Sequence, residues 1–366
     1  MVAEGLNRRL DSQYVADKVF EATGCLVDPQ HVETVADYVK VTCPEHGTWQ
    51  ALPEDLMRGH GCRRCWHSSR SSKGEREIGD YIRSLGFKVD NNAIVDNVSG
   101  EIDLEVTKPC GDKVYIDFHS TWYHGDEINP SPLHHTRKLE QINGKFLYIQ
   151  IMEDEWALRK EIVKTRLAHV LGVSGSVVYA RHTKVRKVSW AEAKNFYEEH
   201  HLQGSPNNTS DNWGLYKDKE LLACISFSKP RFTKDVDVEL LRFASVGSVV
   251  GGFSKLLKNY LRQHPEVETI GTYADRMWSE GEVYGKQGFE FKGHTKPGYS
   301  WYKGLNRVSR YDAQKHKLKN WLESFDPNLS EDKNMRAAGY WRVYNAGNTR
   351  WVYNRNKKDQ NFHSQT

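Results

Sequence analysis

The chain has no long hydrophobic run: nothing in its 366 residues approaches the roughly 20 consecutive apolar side chains that a membrane helix needs. A membrane protein is therefore not expected, and the amino terminus lacks the apolar stretch of a secretory signal. Cysteine is scarce. The six present are scattered at spacings that do not form a disulfide framework, which points to a reducing cytoplasm. Strong charge of either sign is missing too, since the formal net charge is +4. That charge is unevenly placed. From Asn306 onward there are 12 Lys+Arg against 6 Asp+Glu, a balance of +6 that leaves −2 for the rest. Contact with phosphates is expected in this basic tail. What remains is a hydrophobic fraction of 38% and an aromatic fraction of 11%, enough for true cores. The length suits about two or three domains.

The densest pattern runs from Gly74 to Trp156. Ile78, Tyr81, Ile82 and Leu85 recur at helical steps. Glu101–Val106 and Val114–His119 alternate charged and apolar residues and read as strands, and 145–152 (KFLYIQIM) reads as a buried central strand. A helix from Asp154 to about Leu171 closes the unit. A period of two puts Glu101, Asp103 and Glu105 on one strand face. Burying such a face is costly unless a cation is bound, and an oxygen-rich site suits Mg²⁺. Histidines follow: His124 soon after the second strand, then His134 and His135 with Lys138. Metal, carboxylates and a histidine base are the parts needed to hydrolyse a phosphodiester. The competing reading is a half-exposed edge strand with surface histidines.

Gly74-Glu75, Glu101-Ile102-Asp103, the run from Ile116 to His124 and Glu153-Asp154-Glu155-Trp156 together resemble the successive motifs of the very-short-patch-repair (Vsr-like) nucleases. The likeness is greatest to the phage homing endonucleases (Hef-like, with an EDxHD-type core) that share them. The resemblance implies a restriction-endonuclease-like, PD-(D/E)XK/Vsr-like αβββαβ core that nicks or cuts double-stranded DNA. It implies Mg²⁺ at Asp103 and Asp117, with Asp103 central, and a further acid at Glu75, for which Glu77 competes. His124 would activate water or protonate the leaving oxygen, and His134, His135 and Lys138 would meet the scissile phosphate. Two departures stand out. Asp117 replaces the family's third-motif Glu, and His119-Ser120 replaces its Asn-Gly.

Upstream, Cys43-Pro44-Glu45-His46 and Cys62-Arg63-Arg64-Cys65 form a CxxH and a CxxC. Two such knuckles complete a tetrahedron, and three sulfurs with one imidazole suit structural Zn²⁺. The segment resembles a small zinc-binding module of phage and bacterial proteins that often accompanies homing-type nucleases. Arg58, Arg63 and Arg64 are candidates for phosphate contact. Cys25, Cys110 and Cys224 read as ordinary thiols, and 66–73 as a linker.

From Ser176 onward the reading is strand, helix 190–200 capped by Ser189, three strands, then Gly251-Gly252 opening a helix. A further strand (269–275), a short helix and a closing hairpin (289–302) follow. This order resembles the GNAT-like acetyltransferase fold, in which the glycine turn holds the pyrophosphate of acetyl-CoA at a helix N-terminus. Gly251 and Gly252 are thus the cofactor-binding candidates. In the tail, 311–325 reads as a basic amphipathic helix, and 339–353 as a hairpin whose aromatics alternate with Arg342 and Arg350, candidates for DNA. Residues from 354 on read as disordered.

The expected whole is a multidomain α/β (α+β) protein. It comprises a zinc module (1–70), a Vsr-like endonuclease domain (71–173), a GNAT-like mixed-sheet domain (174–305) and a basic extension (306–366). The leading expectation is an Mg²⁺- and Zn²⁺-dependent phage homing endonuclease in the cytoplasm of an infected bacterial host. The alternatives are a DNA-modifying GNAT-like acyltransferase using acetyl-CoA, and a non-catalytic DNA-binding protein.

Overall fold

The structure, a computed structural model, describes residues 11–62, 65, 71–142, 144–173, 175, 177–231 and 234–356. Arg63, Arg64, the linker residues 66–70, Ser176 and the tail from 357 lie outside the described residues. The fold is mixed α/β with several separate sheets. The chain divides into two compact units, Met1–Arg76 and Glu77–Thr366.

In the first unit, helix α1 (Ser12–Thr23) starts at Asp11, whose carboxylate accepts from Gln13 N. Strands β1 (Leu26–Val27), β2 (Val39–Cys43) and β3 (Gly47–Ala51) form an antiparallel sheet. Alternation along β2 turns Val39, Val41 and Cys43 inward. They join Val15 and Val19 of α1 and Leu56 of helix α2 (Pro53–Met57) in one small core.

Helix α3 (Lys73–Ser84) carries the boundary between the units and buries Ile78 and Ile82. Strands β4 (Lys88–Ala93), β5 (Ile102–Thr107), β6 (Lys113–His119) and β7 (Leu147–Met152) form a sheet in that order. It is antiparallel except where helix α4 (His134–Ile142) crosses over to make β7 parallel to β6. β5 alternates as expected, with Ile102, Leu104 and Val106 buried and its acids half-exposed. β6 does not: every residue after Lys113 is buried, because sheet neighbours and both faces enclose it. β7, expected to be central, is the edge. Its edge is covered where Gln150 N donates to Met277 O at 2.8 Å, so the apolar run marks burial rather than position in the sheet. The expected helix 154–171 is two, α5 (Glu153–Leu158) and α6 (Lys160–Leu171), broken at Arg159 (φ −131°).

A seven-stranded sheet follows. It uses β9 (Lys184–Lys187), β10 (Asp211–Lys217), β11 (Glu220–Ser228), β12 (Val238–Ser245), β14 (Thr269–Asp275), β15 (Phe289–His294) and β19 (Asn348–Asn354). Its order is β15-β19-β14-β12-β11-β10-β9. Helix α7 (Trp190–His200) is capped by Ser189, and helix α8 (Gly252–Gln263) follows β13 (Ser248–Val250), which pairs with β8 (Val177–Tyr179). The expected hairpin 289–302 is not one: β15 pairs with β19, while β16 (Tyr299–Lys303) pairs with β17 (Asn306–Ser309) and β18 (Trp341–Tyr344). Likewise β18 and β19 lie in different sheets rather than in one hairpin. Of the expected helix 311–325 only Lys315–Leu318 is helical.

The second unit's main core ignores the expected boundaries at 173 and 305. Ile116, Ile149 and Trp156 share it with Leu202, Trp278, Tyr302 and Val343.

Candidate functional site

Among the described residues, three constellations carry chemistry. The first is in the first unit. The turn between β2 and β3 brings His46 back onto Cys43, and Cys62 and Cys65 come from beyond α2. His46 Nδ1 lies 3.6 Å from Cys43 Sγ, 3.6 Å from Cys62 Sγ and 3.2 Å from Cys65 Sγ, and Cys43 and Cys65 sulfurs are 3.5 Å apart. All four donor atoms lie within 4.8 Å of one another. Ligands about 2.0–2.3 Å from one tetrahedral ion stand roughly 3.3–3.8 Å apart, so this donor set fits zinc. Crowding also splits the thiols. Burial raises Cys43, but hydrogen bonds from the Glu45 backbone, His46 and Cys65 bring it down to about 6. Burial and the neighbouring thiols push Cys65 up to about 12.

The second constellation is the expected nuclease site. The structure brings together Asp103, Asp117, His124, His134, His135 and Lys138. Glu75 falls in the first unit, whereas Glu77 takes the Trp156 indole N–H at 2.9 Å and Lys160. Asp117 is buried with both oxygens occupied: Oδ1 accepts from Asp103 N at 3.0 Å, and Oδ2 accepts from Lys138 Nζ and the Tyr148 hydroxyl. Asp103 Oδ2 accepts from Phe118 N at 2.7 Å. These carboxylates stitch β5 to β6 and to α4. Four imidazoles pack beside them. His124 Nδ1 and His135 Nε2 are 2.9 Å apart, and the His119 ring centroid lies 4.2 Å from that of His124 and 4.3 Å from that of His135. His134 is exposed at the rim. Burial depresses each: with the neighbouring rings it brings His124 to about 2, His135 to about 4 against its bond to Tyr344 O, and His119 well below its ordinary value, while Lys138 joins burial in lowering His134. The rings are neutral at physiological pH.

The third constellation is a cleft. β12 and β14 are parallel but pair only at Val238–Leu240 against Ile270–Thr272. Beyond that point the register of β11 against β12 shifts, leaving Leu241 as an extra residue in β12. Such a bulge bends its strand, and here the two parallel strands part. A cavity of about 570 Å³ occupies the gap, lined by Arg242 and Phe243 of β12, Tyr273 and Asp275 of β14, Glu155 and Tyr284. Gly251, with φ +76°, turns the chain into α8, and Phe253 in the first turn of α8 packs edge-on against Phe243 and beside Tyr284. Burial raises the Tyr284 phenol, against a hydrogen bond with Thr272. Burial likewise pushes Glu155 up to about 7, opposed by Arg307 and helped by Asp275. Neither Glu155 nor Tyr284 was singled out as a site residue from the sequence. The signal for Tyr284 is its place in the short helix after β14, Gly281 to Gly288. Glu155 sits inside a motif read for another purpose.

No family model matches the chain, and no curated protein matches it. Solved structures do. A Bacillus subtilis acetyltransferase in complex with CoA is 13% identical, with 47% of this chain and 98% of that one covered and a TM-score of 0.28. A GNAT family acetyltransferase from Elizabethkingia anophelis with acetyl-CoA bound is 9% identical, covering 47% and 98%, at a TM-score of 0.25. N-acetylglutamate synthase from Neisseria gonorrhoeae is 14% identical, covering 68% and 52%, at a TM-score of 0.24.

These similar structures are acetyltransferases, and the expectation of a DNA endonuclease, a phosphodiester hydrolase, is corrected on that finding. The geometry agrees. Mg²⁺ needs free carboxylate oxygens, and those of Asp117 are taken by protein donors. The described arginines nominated for DNA have partners within the chain: Arg58 with Glu54, Arg342 with Asp332, and Arg350 with both oxygens of Asp235 at 2.7 and 2.6 Å.

Proposed function

We propose that the second unit is an acyltransferase that takes its acyl group from an acyl-CoA thioester. One observation carries this reading: two parallel strands paired at one end only part around a cavity whose lining residues Phe243 and Tyr284 pack against Phe253, in the first turn of the helix that starts at Gly251-Gly252. A helix N-terminus presents unpaired N–H groups to phosphate. A second cavity, of about 520 Å³, lies beside it and gathers Arg181, Lys258 and Arg262, charges that suit a phosphate-rich donor. It also holds the buried Asn259, whose Nδ2 has no partner among the described residues.

The thioester supplies an activated carbonyl and a thiolate leaving group. The chain's own residues divide the proton work. Glu155, titrating near neutrality, is placed to take the proton of an attacking amine. Tyr284, held protonated, is placed to give one to the departing sulfur. The C–N bond forms, the C–S bond breaks, and each proton ends on a named atom.

Calorimetry and thermal melting with acetyl-CoA test the reading. Ligand at about 100 times its Kd stabilises a one-site protein by roughly 2.7 kcal/mol. We expect a rise in Tm for wild type and none for Ser254→Glu, which sets a carboxylate in the first turn of α8. If acetyl-CoA leaves the wild-type Tm unmoved and no heat is released, the reading fails.

A further inference from the structure

We propose that His119, His124 and His135 form a binding site for a divalent transition-metal ion of the zinc and cobalt class, separate from the cysteine site and from the acyl-transfer cleft. One nitrogen from each of the three rings lies within 4.8 Å of the others. Chain topology builds this in. His119 ends β6, His124 follows in the turn closed by His124 N donating to Ser120 O, and His135 lies in the first turn of α4.

Each buried ring is oriented by an acceptor outside the cluster. His135 Nδ1 donates to Tyr344 O, and His119 Nε2 donates to Gln150 Oε1 at 3.0 Å. Each therefore carries its lone pair on the other nitrogen, the arrangement by which metal-binding histidines are commonly held. Gln150 and His119 are nearly inaccessible, at 0% and 4% exposure, so solvent does not compete for these orienting bonds. His124 is half-buried and His134 is exposed beside it, which gives an ion a way in.

The spacing also fits. Two nitrogens about 2.0–2.1 Å from a tetrahedral ion stand roughly 3.3 Å apart. His124 and His135, now 2.9 Å apart, need to separate by only a few tenths of an ångström. An all-imidazole set selects zinc, cobalt, nickel or copper over magnesium. Three protein ligands leave a fourth position for water or a small ligand. The competing arrangement is a plain hydrogen bond from His124 Nδ1 to the His135 Nε2 lone pair, with no ion.

Cobalt bound here is told from cobalt at the cysteine site, because thiolate ligands add sulfur-to-metal charge-transfer bands and imidazoles do not. Full-length protein stripped of metal is titrated with Co²⁺ and followed by absorbance and calorimetry. The site predicts a cobalt population without charge-transfer bands in wild type. That population persists in Cys43→Ser/Cys62→Ser and disappears in His124→Ala, whose fold is checked by circular dichroism. Gln150→Ala, which frees the His119 ring, weakens it about 10- to 100-fold. The proposal is overturned if wild type binds cobalt only with charge-transfer bands. It is also overturned if the nitrogen-only population survives unchanged in both His124→Ala and His119→Asn.

Discussion

A carboxyl group buried against the Trp278 indole, with Asp275 and Asp154 nearby, keeps its proton to higher pH than one in water, even with Arg307 opposing. Glu155 is such a group, raised from 4.5 to about 7. Between those values the folded chain holds a proton that the unfolded chain has released. Its contribution to stability therefore falls as pH climbs through that window and is flat above it. The loss is on the order of 3 kcal/mol if the full shift is realised. Glu155→Gln cannot titrate, so its stability relative to wild type rises between pH 4.5 and 7. Urea midpoints across that range are the check, and parallel curves for the two proteins sink the assignment. At this scale much was legible. The motif resemblance grouped Asp103, Asp117, His124, His134, His135 and Lys138, and these side chains do lie together. The donors that decide what those residues do were not legible: Tyr148, Gln150 and Tyr344 arrive from other strands, and no local spacing announces them.

Elements with a single local period were readable from the sequence. The buried face of α3, the alternation of β5 and the Ser189 cap of α7 all follow from side chains a few positions apart. β4 was not, because Asp90, Asn91 and Asn92 interrupt any apolar alternation and leave only Val89 fully buried. The pairing of strands was not readable either. Alternating aromatics near 341 and 351 signal two strands, and a hairpin is the nearest guess, but partner choice is a tertiary matter. The short helix after β14 gives a prediction at this scale. Gly281 holds φ +83°, and a Cβ there would stand 2.6 Å from Ala274 Cβ. Left-handed strain and a clash with the cleft wall act together, so Gly281→Ala should cost about 2 kcal/mol or more. A chemical-denaturation curve displaced by less than about 0.5 kcal/mol contradicts the close approach of this turn to β14.

For the molecule as a whole, the order of strands in space departs from their order in the chain, and that has a consequence for where the chain can be cut. By composition, residues 306–366 look like a basic appendage. In the fold, β19 lies between β14 and β15, so the last described strand is interior to the largest sheet. β18 meanwhile holds the loop after β6, where Trp341 Nε1 donates to Thr121 O and Asp126 takes Arg342 N and Arg336. Removing residues 340–366 exposes the partners of Val343, Ala346, Val352 and Tyr353, all nearly inaccessible in the intact chain. Buried side chains of this kind contribute roughly 1.5–3 kcal/mol each. Losing several, together with two strands of backbone hydrogen bonds, is comparable with the roughly 5–15 kcal/mol that typically separates folded from unfolded domains. We therefore expect the chain ending at Gly339 to lose cooperative melting and to be digested by protease throughout the second unit, while a chain ending at Asn356 melts as the full protein does. The two truncations differ by only a short segment, yet one removes the middle of a sheet and the other removes nothing described. A chain ending at Gly339 that still melts cooperatively near the full-length Tm would place β19 outside the sheet and return the tail to the status of an appendage.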